Sequence, residues 1–175
     1  MDERALIQRI NRGDVAAFET LFRAYHPRLC GFAFSYLRDR AVSEELVQDL
    51  FMAMWEKRAR LDVRTSVRAY LFAALRNRVL NRSARARMEE QWSEQSAEVE
   101  PIPALEYSDT GERVRVAIAA LPPACRNALL LRWQEDMSYA EIAETLGVSV
   151  KTVENNLGRA RALMRERLPD LIETD

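Results

Sequence analysis

The stretch SYAEIAETLGVSVKTVENNLGRAR, Ser138 to Arg161, decides the reading of this chain, because its residue spacing is that of two short helices joined by a sharp turn. Ser138 is placed to cap the first helix, and Glu141, three residues on, can reach back to it as a capping box. Ile142 and Leu146 then fall one above the other on one face. Gly147 follows where the chain must turn through a left-handed conformation that only glycine takes cheaply. Ser149 offers a second N-cap. Beyond it Val153 and Leu157 again lie four apart, while Lys151, Thr152, Asn155, Asn156 and Arg159 fall on the other, polar side. The pattern predicts a helix-turn-helix whose second helix presents groups able to bond base edges and phosphates.

Working outward, the composition fits a nearly all-α protein. Of 175 residues, 48% are hydrophobic and 30% charged, and only five glycines and six prolines leave few places for turns. No apolar run approaches the roughly 18 residues of a membrane span, and the acids in MDERALIQRI do not suit a secretion signal. A cytoplasmic protein with no inserted segment is expected. Cys30 and Cys125 are single and far apart, which argues for ordinary buried thiols rather than a disulfide framework or a metal site.

The net charge of −1 conceals a partition. Between Arg64 and Arg87 there are seven arginines and no acid, and between Met88 and Glu112 there are eight acids and no Lys or Arg. Low apolar periodicity, Pro101 and Pro103 make residues 88–111 read as a flexible acidic linker. Domains are expected at 1–87 and 112–175, the second small enough to be marginally stable alone.

Four helical patterns precede the linker. Leu6 and Ile10, then Phe18, Leu21, Phe22 and Tyr25, recur across Gly13-Asp14. Pro27 is where a kink or a fresh start is expected, before the stripe Leu29, Phe32, Ala33, Tyr36, Leu37. Leu46, Val47, Leu50, Phe51, Met54 and Trp55 line the third helix, whose polar side carries Glu44, Glu45, Gln48 and Asp49. The fourth, about Thr65 to Arg87, buries Leu71, Leu75 and Val79 and presents Tyr70, Asn77 and Asn81 on its opposite face. Past the linker, Val114, Ile118 and Leu121 precede Pro122-Pro123, and a helix with Leu129, Leu130 and Trp133 leads into the helix-turn-helix.

In the fourth helix, arginines mixed with Tyr70, Phe72 and two asparagines suit single-stranded nucleic acid, where rings stack on bases and cations meet phosphates. Phe72 also fits the core. The acidic face of the third helix has two readings, a solvated surface or a dock for a basic helical partner. Nothing forms a catalytic constellation, and no metal, cofactor or small-molecule site is expected. His26 is the only histidine, and no phosphate-binding glycine loop exists.

The order of these segments resembles the sigma-70 family of bacterial transcription initiation factors, in its small extracytoplasmic-function group. GDVAAFETLFRAY (13–25), EELVQDLFMAMW (44–55) and RAYLFAALRNRVLN (68–81) are similar to the family's region two. LPPACRNALLLRW (121–133) and the helix-turn-helix are similar to region four. The resemblance implies two helical domains, with core RNA polymerase and promoter DNA as partners; that the chain is not an enzyme is expected from its residues, which offer no nucleophile, metal or phosphate site. The resemblance implies that Glu45, Gln48, Asp49 and Trp55 form or support the dock on the clamp helices of the largest polymerase subunit. It also implies that the helix with Tyr70, Arg76, Asn77, Arg78 and Asn81 melts the minus-ten element and captures an unstacked base. Where the family often has Asp, this chain has Asn81. The recognition helix, with Ser149, Lys151, Thr152, Asn155, Asn156 and Arg159, would lie in the major groove of the minus-thirty-five element. An anti-sigma factor is a further partner the family admits, which no residue here identifies. The competing reading is a conventional regulator that binds duplex DNA without polymerase, since VSVKTVEN is also like the output domains of response regulators. The acidic linker has two possible jobs: filling a basic channel of the polymerase, or screening the arginine helix in the free chain.

Overall fold

A computed structural model describes residues 3–63, 66–90 and 109–172. The chain divides into two compact units, Met1–Ile102 and Pro103–Asp175. Among the described residues every regular element is a helix.

The first unit contains α1 (Glu3–Asn11), α2 (Val15–Leu37), α3 (Arg40–Glu56), a single 3₁₀ turn (Arg58–Arg60) and α4 (Val67–Glu90). The break between α1 and α2 falls at Gly13, whose φ of 86° stops the first helix. Asp14 then starts the second by accepting from the Ala17 N–H at 3.1 Å. That bond, with the Arg9 guanidinium at 2.8 Å, holds the Asp14 carboxyl below its usual range. The break expected at Pro27 does not occur, since α2 runs through it. Proline removes the N–H that would bond the Arg23 carbonyl, but both residues are exposed and water can serve that oxygen. Helix α2 ends at Arg38, a non-glycine residue at φ 57°, and Asp39 caps α3 through the Val42 N–H at 2.9 Å.

Apolar stripes from all four helices meet in one core. Ile10, Leu21, Leu29, Val47, Leu71, Phe72, Leu75 and Val79 are fully buried. Phe72 packs edge-on against Phe32 at 5.2 Å, which settles it as a core residue. Ser66 caps α4 by accepting from the Ala69 N–H at 3.0 Å. The helix thus starts two residues later than expected and runs three further, to Glu90. Cys125 is buried as expected, whereas Cys30 is only half-buried. Burial, then the charge of Glu44, pushes the Cys30 thiol up to about 11.

The second unit contains α5 (Asp109–Ala119), α6 (Pro123–Trp133), α7 (Tyr139–Leu146), α8 (Val150–Arg167) and α9 (Pro169–Ile172). Pro123 occupies the first turn of α6, where its missing N–H costs nothing. The buried side of α6 is Cys125, Asn127, Ala128 and Leu131, and Trp133 is 65% exposed, so the expected apolar pattern is rotated. Leu121, Cys125 and Ala160 form a cluster that Leu129, Leu163 and Met164 flank. A two-fold hydrogen-bonded ion pair from Arg113 to Asp170, at 2.7 and 2.6 Å, ties α5 to α9. Of the expected linker, 91–108 lie outside the described residues, as do Arg64, Thr65 and the side chains of Arg85 and Arg87.

Candidate nucleic-acid interface

The turn between α7 and α8 is built by side chain-to-backbone bonds at both ends. Ser138 Oγ accepts from the Glu141 N–H at 3.2 Å, and the Ser138 N–H donates to Glu141 Oε2 at 2.9 Å, completing the capping box. Gly147 takes φ 65° and its N–H reaches back to Ala143 and Glu144. Ser149 then caps α8 by accepting from the Thr152 N–H at 3.1 Å. Beneath the turn, Met137, Ile142, Leu146, Val153, Leu157 and Ala160 are buried, so the angle between the helices is fixed by packing.

On α8, Lys151, Asn155 and Arg159 are exposed, and Thr152 and Asn156 are half-buried. At 100° per residue the first three lie within about 80° of one another, with Thr152 and Asn156 along the flank. Five of the six expected side chains therefore share one surface. Ser149 is different, since its hydroxyl is engaged with the Thr152 N–H and lies 2.8 Å from Thr152 Oγ1. Its contribution is to orient the first turn, whose free N–H groups and positive dipole end suit a phosphate. The sequence reading missed Glu154, which binds Lys151 at 3.1 Å. The pair is solvent-exposed and worth at most about 1 kcal/mol, so Lys151 can leave it for a phosphate.

On α4, Asn77 and Asn81 are exposed and Tyr70 is half-buried. These three fall within about 40° of one line, the face turned away from the Leu71, Leu75, Val79 stripe. Arg76 and Arg78 are half-buried, and each lies about 100° from Asn77 on opposite flanks. The helix thus presents a polar and aromatic line bordered by cations on both sides. Among the described residues no carboxylate pairs with Arg76, Arg78 or Arg82.

On α3, Glu44, Glu45, Gln48 and Asp49 are all exposed. Met52, which the sequence reading did not single out, is 62% exposed and shares the line of Glu45 and Asp49. Trp55 sits at the edge of this face. Its ring packs 4.9 Å from Phe18, and the Arg58 guanidinium lies 4.5 Å over it. Period-four stripes could not flag Met52, because it lies outside them.

Among the described residues no helix is long and apolar enough to cross a membrane. Two families match the chain: Sigma-70 region 2 over residues 21–88, and Sigma-70, region 4 over residues 111–164. Among curated proteins, ECF RNA polymerase sigma factor RpoE of Cereibacter sphaeroides is 29% identical over 89% of this chain and 88% of its own. RNA polymerase sigma-H factor of Pseudomonas aeruginosa is 24% identical over 97% and 95%. Among solved structures, the sigma factor RpoE of Bartonella quintana, in complex with the anti-sigma factor NepR, superposes with a TM-score of 0.73 at 26% identity. It covers 90% of this chain and 98% of its own. CnrH, in complex with the cytosolic domain of CnrY, gives 0.68 at 27%, over 95% and 97%. With both regions matched in order and whole-length relatives of the same kind, the chain belongs to the sigma-70 family of RNA polymerase sigma factors, in its extracytoplasmic-function group.

Proposed function

We propose that this chain confers promoter specificity on core RNA polymerase through three surfaces. The acidic face of α3, with Glu45, Gln48 and Asp49, docks on the polymerase clamp helices, and Trp55 stiffens its edge. The outward line of α4, with Tyr70, Asn77 and Asn81, takes unstacked bases of the minus-ten element, and Arg76 and Arg78 hold phosphates on either side. Helix α8 enters the major groove of the minus-thirty-five element. There Asn155 and Asn156 are suited to adenine edges, and Lys151 and Arg159 to phosphates. Residues 1–87 and 112–175 carry the working surfaces and 88–111 join them, with the ends of that segment taken up by α4, to Glu90, and α5, from Asp109. The chain works in the cytoplasm, has no catalytic role and uses no metal or cofactor.

One observation carries this reading: a single chain matches both sigma-70 regions, and each match coincides with an exposed polar helix face. A conventional helix-turn-helix regulator would have no use for the first unit. A proteinaceous inhibitor of the anti-sigma type is the natural additional partner, supported by the relative of Bartonella quintana, whose structure contains one.

The test is run-off transcription from a genomic-fragment library with purified bacterial core polymerase, with and without this protein. Discrete protein-dependent starts preceded by two spaced motifs are expected. Specific duplex binding without core binding would return the chain to the conventional regulators.

A further inference from the structure

The chain carries a second cluster of cations away from the arginines of α4, assembled by the fold from distant segments. Arg12 follows the end of α1, Lys57 follows α3, and Arg60 closes the 3₁₀ turn. All three are exposed, and among the described residues none pairs with a carboxylate. The two segments are held together on both sides of Arg12. Asn11 Nδ2 donates to the Leu61 carbonyl at 3.1 Å, and a methyl group built on Gly13 would lie 3.8 Å from Arg58 Nε. Arg9 and Arg58 add charge to the same region. Arg9 is bound to Asp14 at 2.8 Å, and Arg58 is bound to the Trp55 carbonyl at 2.8 Å.

This cluster adjoins the start of α4. A cavity of about 630 Å³ opens between α1, Leu61–Val63 and Ser66-Val67 at the head of α4. Glu3, Arg4 and Asp62 line it, so the cavity itself has no cationic surplus, in contrast to the neighbouring cluster. Tyr70 lies one turn into α4, about 6 Å along the axis from Ser66. A strand engaged at Tyr70 and leaving toward the helix N-terminus heads for the cavity that Asn11 and Leu61, the chain neighbours of Arg12 and Arg60, line from the other side.

We infer that Arg12, Lys57 and Arg60 form a sequence-independent phosphate track that extends the α4 interface along the promoter strand beyond the bases it reads. The inference rests on the proposed role of α4. It adds a surface to which nothing in the sequence reading drew attention, because its cations come from segments some 45 residues apart. The arginines and lysine also lie at helix C-terminal ends, where they complement the helix dipoles. The experiment separates that role from phosphate binding.

Holoenzyme is assembled from bacterial core polymerase and the full chain, either wild type or with Arg12→Gln, Lys57→Gln and Arg60→Gln together. Affinity for a promoter fragment found in the run-off experiment is measured between 50 and 200 mM salt. Three lost phosphate contacts lower the salt slope by about 2 to 3, so the variant loses about 15- to 60-fold less affinity than wild type across that range. The loss at low salt is the same for different promoters, core affinity is unchanged, and Arg12→Lys with Arg60→Lys keeps the wild-type slope. An unchanged slope with a lowered melting temperature assigns the cations to the helix ends and overturns the inference. Weakened core binding assigns them to polymerase and overturns it too. Absence of promoter binding by the wild-type holoenzyme is a separate failure, that of the α4 reading itself, and the inference falls with it.

Discussion

At the scale of single residues, the recognition unit depends on Gly147. Its φ of 65° is a conformation that costs any side-chain-bearing residue about 1 to 2 kcal/mol. Gly147→Ala lowers the unfolding free energy of the second unit by that amount, read in denaturant melts of the full chain. Few such losses are tolerable in a unit of its size. A second residue-scale effect is electrostatic. The Arg113 guanidinium, through its hydrogen bonds, holds the Asp170 carboxyl below its ordinary value of 3.8. A carboxyl whose pKa is depressed by folding stabilises the fold fully above its unfolded value and loses that contribution as pH falls through the folded one. Wild type therefore destabilises more steeply than Asp170→Asn below about pH 4, and the two converge at the acid end, whereas at neutral pH the variant melts lower. Parallel curves for the two proteins would show that the α5–α9 pair contributes nothing.

At the scale of elements, what the sequence discloses depends on whether the signal is local. Caps and turns are local, so Ser138 with Glu141, Gly147 and Ser149 were readable, and the helix-turn-helix followed. The α1–α2 break was mislocated because Pro27 is a strong helix breaker in general, yet on an exposed face water can take the place of its missing bond. Gly13-Asp14, a left-handed stop followed by a cap, is the signal that mattered. The rotation of α6, which exposes Trp133, was not readable, since its buried side includes the small residues Cys125, packed with Ala160, and Ala128. The candidate site was legible where it is polar. Its apolar member, Met52, was not, because an exposed methionine in a sequence looks like any other apolar residue. On the proposed docking face it supplies what the acids around it lack, a desolvated contact at the centre of a charged rim. Met52→Asp lowers affinity for core polymerase about tenfold while leaving the melting temperature of the free chain within error, since the residue packs in no core. A variant that binds core normally would move the dock off this face.

At the scale of the whole molecule, the distribution of charge governs when the chain binds DNA. Two cation-rich surfaces, on α4 and α8, belong to a chain whose net charge is only −1, so a free chain has little long-range attraction for a polyanion. The acids responsible are concentrated between Met88 and Glu112, next in sequence to the arginines of α4. Recognition is correspondingly divided between two small surfaces, each weak alone. Held on polymerase, the second contact becomes effectively intramolecular, which raises avidity by about 10²- to 10⁴-fold without new contacts. Changing Glu94, Glu98, Glu100 and Glu106 to Gln moves the net charge from −1 to +3 and leaves every described residue in place. Free-chain binding to mixed-sequence duplex DNA should then tighten at low salt and lose the gain at high salt, as screening requires. If the acids instead occupy a basic channel of the polymerase, the same variant loses core affinity and gains little for DNA. A chain whose affinities for both core and DNA are untouched would show that the acidic segment is a spacer, with promoter specificity carried by α4 and α8 alone.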